Sequence, residues 1–273
     1  MNESPTILLT GTSEGIGYET ARLLAAKQCT VIVHARTREE GEESYQRLLG
    51  SGVDARRFQP AVADFTDLRQ VIDLAVEVAE LFPFLDVLVN NAGTTGTHGR
   101  VITKDGHERT FQVNYLAPYL LTRLLEDALS RSEVGRVVNV SSSLHRGGRI
   151  NWNDINWKRR YNRGAAYAQS KLALTMMTTA LSELRPKVRE AVSVHPGIIA
   201  TGMLPCYSYR GRPVVEGAEP VARLADPGAK VLNGGYYDGR LPAKAASAAV
   251  DPDSVRKLWT YSERLTLFDK HQA

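Results

Sequence analysis

Cysteine is scarce in this chain: of its 273 residues only Cys29 and Cys206 carry a thiol. Two such distant cysteines give neither a disulfide framework nor metal-ligand spacing, so no metal site is expected, and a reducing, cytoplasmic setting is. Long apolar runs are missing too. None approaches the roughly 20 residues that span a bilayer, so no membrane anchor is expected. The opening MNESPTILLTG has no basic segment ahead of its apolar one and does not read as a signal peptide. Basic residues are scattered, and the formal net charge is only +4. The one compact basic run, Lys158-Arg159-Arg160, is too short to read as a nucleic-acid surface. There is no internal repeat and no low-complexity linker.

What remains is 43% hydrophobic and 23% charged, which suits one α/β domain spanning 1–273 that buries about three quarters of its unfolded surface. Short apolar runs alternate with longer amphipathic stretches. Strands are expected at Thr6 to Thr10, Thr30 to Ala35, Arg57 to Ala61, Asp86 to Asn90, Arg136 to Ser141 and Val188 to His195. Helices are expected at Glu14 to Lys27, Arg38 to Leu49, Leu68 to Leu81, Glu108 to Leu129 and Ala165 to Leu184. Continuous apolar strands separated by helices predict a doubly wound parallel sheet flanked by helices on both faces.

The turn between the first strand and first helix reads TGTSEGIG, with Gly11, Gly15 and Gly17 in the order G-x-x-x-G-x-G. In a doubly wound sheet this turn is where backbone N–H groups at a helix N-terminus meet phosphate. Gly11 would make the tight turn, Gly15 would let the backbone approach a pyrophosphate, and Gly17 would let helix and strand pack closely. Four later stretches fall where such a sheet also places ligands: Asn90-Asn91-Ala92-Gly93, Asn139-Val140-Ser141-Ser142, Tyr167-Ala-Gln-Ser-Lys171 and Pro196-Gly197.

In this order and spacing, TGTSEGIG, NNAG, the serine and YxxxK resemble the short-chain dehydrogenase/reductase family, whose fingerprint has this shifted glycine spacing. The likeness covers essentially the whole chain and a single-domain Rossmann fold. RVVNVSSSLHRGGRI, DINW, YAQSKLAL, GGYYDGRLP and LWTYSERL are most similar to the retinol-dehydrogenase-like branch that includes the WW-domain oxidoreductase.

Tyr167 and Lys171 stand one helical turn apart, on one face. An ammonium about 5 Å from a phenol is worth roughly 3 kcal/mol at an effective dielectric near 20, or about two pKa units. The resemblance implies that Tyr167 exchanges a proton with the substrate oxygen and that Lys171 also holds the nicotinamide ribose. It implies that Ser142 steadies the developing charge and that Asn114, in FQVNYLAP, joins a proton relay. Ser141, Ser142 and Ser143 are consecutive, and composition does not separate them; Ser143 is the reserve candidate.

An NAD enzyme wants a carboxylate at the end of the second strand. Here the chain reads Val33-His34-Ala35-Arg36-Thr37-Arg38, so a 2′-phosphate on Arg36 is the better match and NADP(H) is the expected cofactor. Thr37 and Arg38 could assist, while Glu39 and Glu40 lie close by. The turn residues Gly11, Thr12, Ser13, Gly15, Ile16 and Gly17 are expected at the cofactor. So are Asp64 at adenine, Asn90 and Gly93 at its centre, and Pro196, Gly197, Ile199 and Thr201 at the nicotinamide end.

The resemblance puts a substrate lid after the sixth strand, at 202–231, where no clear helix or strand period is seen. With the 143–166 insert it is expected to shape a pocket from His145, Trp152, Met203, Leu204 and Tyr207, with Trp157 and Tyr209 nearby. Such a pocket suits a bulky, hydrophobic ketone or aldehyde, of retinoid, steroid or aromatic polyketide type. The expected activity is NADPH-dependent ketoreduction. Oxidation of an alcohol, or a cofactor-sensing binding protein without turnover, is the alternative. A homo-oligomer built on the two long helices is compatible with all three.

Overall fold

The computed structural model describes residues 4–202 and 211–266. Its centre is an eight-stranded sheet in the order β3-β2-β1-β4-β5-β6-β7-β8, built from β1 (Thr6–Thr10), β2 (Thr30–Ala35), β3 (Phe58–Val62), β4 (Val87–Asn90), β5 (Arg136–Val140), β6 (Glu190–His195), β7 (Tyr236–Asp238) and β8 (Leu241–Ala243). All neighbours pair in parallel except β7 with β8. The central strands are buried on both sides, which is why they appear as largely apolar runs. β3 lies at the edge, and its Pro60, exposed beside Val33 of β2, is tolerated there because an edge strand has a ladder side to spare.

Alternate residues feed two cores. Leu8, Ile32, Leu88 and Val137 face α3 (Leu68–Leu81), α5 (Ala117–Leu124), α7 (Arg163–Leu184) and α9 (Pro252–Thr266). Ile7, Leu9, Val31, Val33, Val138 and Val192 face α1 (Gly15–Ala26) and α8 (Val214–Ala225), which pack against each other. Local signals start several helices. Thr37 accepts from the Glu40 N–H at the head of α2 (Arg38–Leu49), Asp67 from Arg69 at α3, and Asn162 from Ala165 at α7.

Two expectations need correction. The long helix read over Glu108 to Leu129 is divided. A short α4 (Arg109–Phe111), capped by the Glu108 carboxylate, runs into a π-helical stretch at Gln112–Leu116, where the Ala117 N–H reaches back five residues to the Gln112 carbonyl. α5 follows, and a break at Leu125 separates it from α6 (Glu126–Arg131). The segment 202–231, read as lacking a period, contains α8. Pro213 immediately before it, Gly217, and Pro220 inside it interrupt the pattern, but Val221, Ala222, Leu224 and Ala225 are buried against the sheet. Residues 203–210, which include Met203, Leu204, Tyr207 and Tyr209, lie outside the described residues.

Among the described residues no helix is long and apolar enough to cross a membrane. None of them forms a group of three or more His, Cys, Asp or Glu arranged to hold a metal ion.

Candidate active site

Chain order reverses between β1 and β4: successive strands proceed one way from β1 to β3 and the other from β4 onward. The C-terminal ends of the strands open there into a cleft of about 1130 Å³. This is the switch point at which doubly wound sheets bind ligands.

The glycine turn forms one wall. Gly11 has φ +71°, and a Cβ there would lie 2.7 Å from Ala92 Cα. At Gly17 a Cβ would overlap the Gly11 carbonyl oxygen and lie 2.5 Å from Asn91 Nδ2. Asn91 in turn donates to the carbonyls of Thr10 and Gly11 at 2.9 and 3.0 Å. α1 then begins at Gly15 with no side-chain cap on its N-terminus. A turn with no room for a side chain at Gly11 or Gly17, leading to an uncapped helix N-terminus, fits a dinucleotide's phosphates.

His34 holds this turn from behind. Its Nδ1 accepts the Gly11 N–H at 3.1 Å, its Nε2–H donates to the Ala63 carbonyl at 2.9 Å, and its ring stacks on Phe65 at 4.6 Å. Burial pushes its pKa down to about 4, so the ring is neutral and can accept. It thereby ties the glycine turn to the segment that starts at Ala63. There Asp64 lines the cleft, with its carboxylate accepting from the Thr66 N–H at 2.8 Å.

The catalytic candidates come from β5 and α7. Lys171 Nζ donates to the Val140 carbonyl at 2.9 Å and lies 5.8 Å from the Tyr167 ring centre. Its burial lowers its pKa to about 8. Gly93 passes close in front: a Cβ there would lie 3.5 Å from Lys171 Nζ and 3.3 Å from Asn114 Oδ1. Ser142 Oγ accepts from the Leu144 N–H at 3.3 Å at the start of a short 3₁₀ turn. Ser141 lines the same wall, but its hydroxyl is turned to α7, 3.1 Å from the Lys171 carbonyl and 2.8 Å from Thr175 Oγ1. Ser142, Ser143, Tyr167 and Lys171 all border the cleft.

Most residues expected at the cofactor also border it: Gly11, Ser13, Gly15, Ile16, Gly17, Arg36, Asp64 and Gly93, then Pro196, Gly197, Ile199 and Thr201. Arg36 is exposed and paired with Glu40.

Five expected residues are placed elsewhere. Thr12 faces inward, its N–H and hydroxyl both on the His34 carbonyl at 2.8 and 3.1 Å. Asn90 is buried beneath the site, donating to Asn139 and Thr122, and its neighbour Asn91 reaches the cleft instead. Asn114 is also behind the wall. Its Oδ1 accepts from the Thr94 N–H at 2.7 Å, and its Nδ2 donates to the Thr94 carbonyl and Ser170 Oγ, both at 2.9 Å. Its amide is therefore spent on clamping the loop after β4 to α7. His145 is fully buried, with Nδ1–H on the Ser142 carbonyl at 2.6 Å and Nε2 accepting from the Ala246 N–H at 3.1 Å. Trp152 packs near Tyr261 on α9, with Lys257 over its ring. These two are structural side chains of the insert and do not line the cleft.

The lining also includes residues not singled out from the sequence. Leu144 and Ile198, each 41% exposed, give the catalytic end an apolar lip. Glu14, Glu43 and Arg47 border the glycine-turn end, and His195 the far side.

Residues 5–208 match the short chain dehydrogenase family. Human retinol dehydrogenase 13 is 32% identical, covering 95% of this chain and 84% of its own. A candidate daunorubicin C-13 ketoreductase from a Streptomyces species is 35% identical, covering 94% and 91%. The solved structure of an uncharacterized protein from Mycobacterium paratuberculosis superposes with a TM-score of 0.79 at 30% identity, covering 96% of this chain and 93% of that one.

Proposed function

This chain belongs to the short-chain dehydrogenase family, and on that premise we propose that it reduces a bulky, hydrophobic ketone or aldehyde with NADPH. The observation that carries the reading is the shared wall: Ser142, Tyr167 and Lys171 border the same cleft as the glycine turn. When bound, the reduced nicotinamide supplies a hydride to the carbonyl carbon. Tyr167 gives its phenolic proton to the carbonyl oxygen, and Ser142, held at the cleft edge, donates a hydrogen bond to the same oxygen. Lys171 is protonated at neutral pH, below its value of about 8. At about 6 Å its charge favours the phenolate left on Tyr167 by roughly 3 kcal/mol at an effective dielectric of 20. Asn114 acts indirectly, fixing the loop that carries Thr94 against α7.

The apolar lip of Leu144 and Ile198 favours a large, weakly polar substrate. Two relatives are named for retinol and for daunorubicin, both large ring-bearing compounds. The preference for NADP(H) rests on Arg36 at the cleft edge and on the absence of a carboxylate at the end of β2. The direct test is a turnover screen of the purified chain with NADPH or NADH against aromatic and polycyclic ketones and aldehydes. NADPH oxidation with at least one of them is expected. Cofactor binding without turnover of any compound would replace this reading with a binding protein.

A further inference from the structure

Two arginines and two glutamates line the cleft beside the glycine turn: Arg36 just before α2, and Glu40, Glu43 and Arg47 at helical spacing along it. Arg36 is already paired with Glu40, so a phosphate arriving there would share that guanidinium with a carboxylate. Arg47 is different. Its Nη2 donates to the Ser13 carbonyl inside the glycine turn, and its guanidinium lies over the Tyr18 ring at 4.9 Å. Among the described residues it has no carboxylate partner. Ser44, on the preceding turn of α2, donates to the Thr12 carbonyl at 2.8 Å and fixes the helix against the turn. Arg47 thus holds its charge over the glycine turn, with no ion pair and one hydrogen bond among the described residues.

The geometry assigns to Arg47 the second guanidinium for the 2′-phosphate of NADP(H), making a residue deep in α2 a determinant of cofactor choice. This rests on the NADP(H) reading above. Binding would exchange a bond to a neutral carbonyl for charge-assisted bonds to a dianion, with the Tyr18 ring keeping the guanidinium planar to the turn. It would also offset Glu43, which otherwise repels the phosphate from the same face.

Calorimetric titration of the full chain with 2′,5′-ADP and with 5′-ADP isolates the 2′-phosphate and needs no turnover. The wild type is expected to bind 2′,5′-ADP the more tightly. Arg47→Leu should weaken 2′,5′-ADP by roughly 10- to 100-fold, the worth of a charged hydrogen bond, while 5′-ADP stays within about twofold. Arg47→Lys should recover part of the loss as a point charge. If the wild type does not distinguish the two ligands, the NADP(H) reading fails and this assignment with it. If Arg36→Leu removes the discrimination and Arg47→Leu does not, only the assignment fails. Equal loss of both ligands in Arg47→Leu would make Arg47 a support of the turn and overturn the assignment too.

Discussion

Lys171 is a buried ammonium that donates to a neutral carbonyl, and that arrangement has a measurable cost. Its ordinary value of 10.5 falls to about 8 in the folded protein, with burial as the cause. At about 1.4 kcal/mol per pKa unit, folding gives up about 3 kcal/mol at neutral pH to keep the proton on this side chain. Between 8 and 10.5 the unfolded chain binds more protons than the folded one. The Lys171 contribution to stability therefore rises with pH across that window. Lys171→Met removes the titration along with the bond to Val140, so a comparison at one pH mixes two effects. The change in the difference with pH does not. From pH 7.5 to 10 the wild type should gain about 2 to 3 kcal/mol relative to Lys171→Met. In urea unfolding followed by circular dichroism this is a relative midpoint shift close to 1 M, at a slope of about 3 kcal/mol per M. Buried tyrosines titrate in both proteins and cancel. A difference that stays constant with pH would refute the claim that Lys171 is charged at a desolvation cost.

The acid limb has its own reporter. His34 titrates near 4 when folded against an ordinary 6.5, so stability is complete above 6.5 and falls as pH drops through the window, by about 3 kcal/mol in all. His34→Leu should show a shallower decline than the wild type between pH 6.5 and 4 in the same unfolding assay; identical slopes would mean that His34 is not a buried neutral acceptor. Gly17→Ala places a methyl group against the Gly11 carbonyl and Asn91. It is expected to weaken NADPH binding, read by cofactor fluorescence, by at least about tenfold and to lower the melting temperature, since overpacking costs about 1 to 3 kcal/mol. Unchanged binding would show that the turn does not need this close approach.

The parts of the molecule legible in the sequence are those where one residue type has one physical reason to be there. Buried parallel strands must be mostly apolar on both faces, and β1, β2 and β4 to β6 stood out for that reason. Gly11 and Gly17 are required by contacts that no side chain can share. Tyr167 and Lys171 needed only helical spacing to fall on one face. Legibility fails where tertiary packing overrides local pattern. α8 accommodates Pro220 and Gly217 because the sheet and α1 bury its apolar face. The π-helical stretch at Gln112–Leu116 leaves no compositional trace. Which face an aromatic or amide presents is likewise invisible. Trp152 went to α9, His145 to the Ala246 backbone and Asn90 to the interior, while the unremarkable Leu144 and Ile198 form the lip. Arg47 was one more exposed arginine until the position of α2 beside the glycine turn gave it a role.

Tyr167 is the proton donor of the proposed reduction, and the most direct measurement of that role is single-variant turnover. Tyr167→Phe keeps the ring that packs beside Lys171 and removes only the hydroxyl. With a carbonyl compound that the wild type reduces, NADPH oxidation by the variant should fall by at least about 100-fold, the lower end for loss of a general acid, while NADPH binding stays within about twofold. Turnover at the wild-type rate would contradict the account.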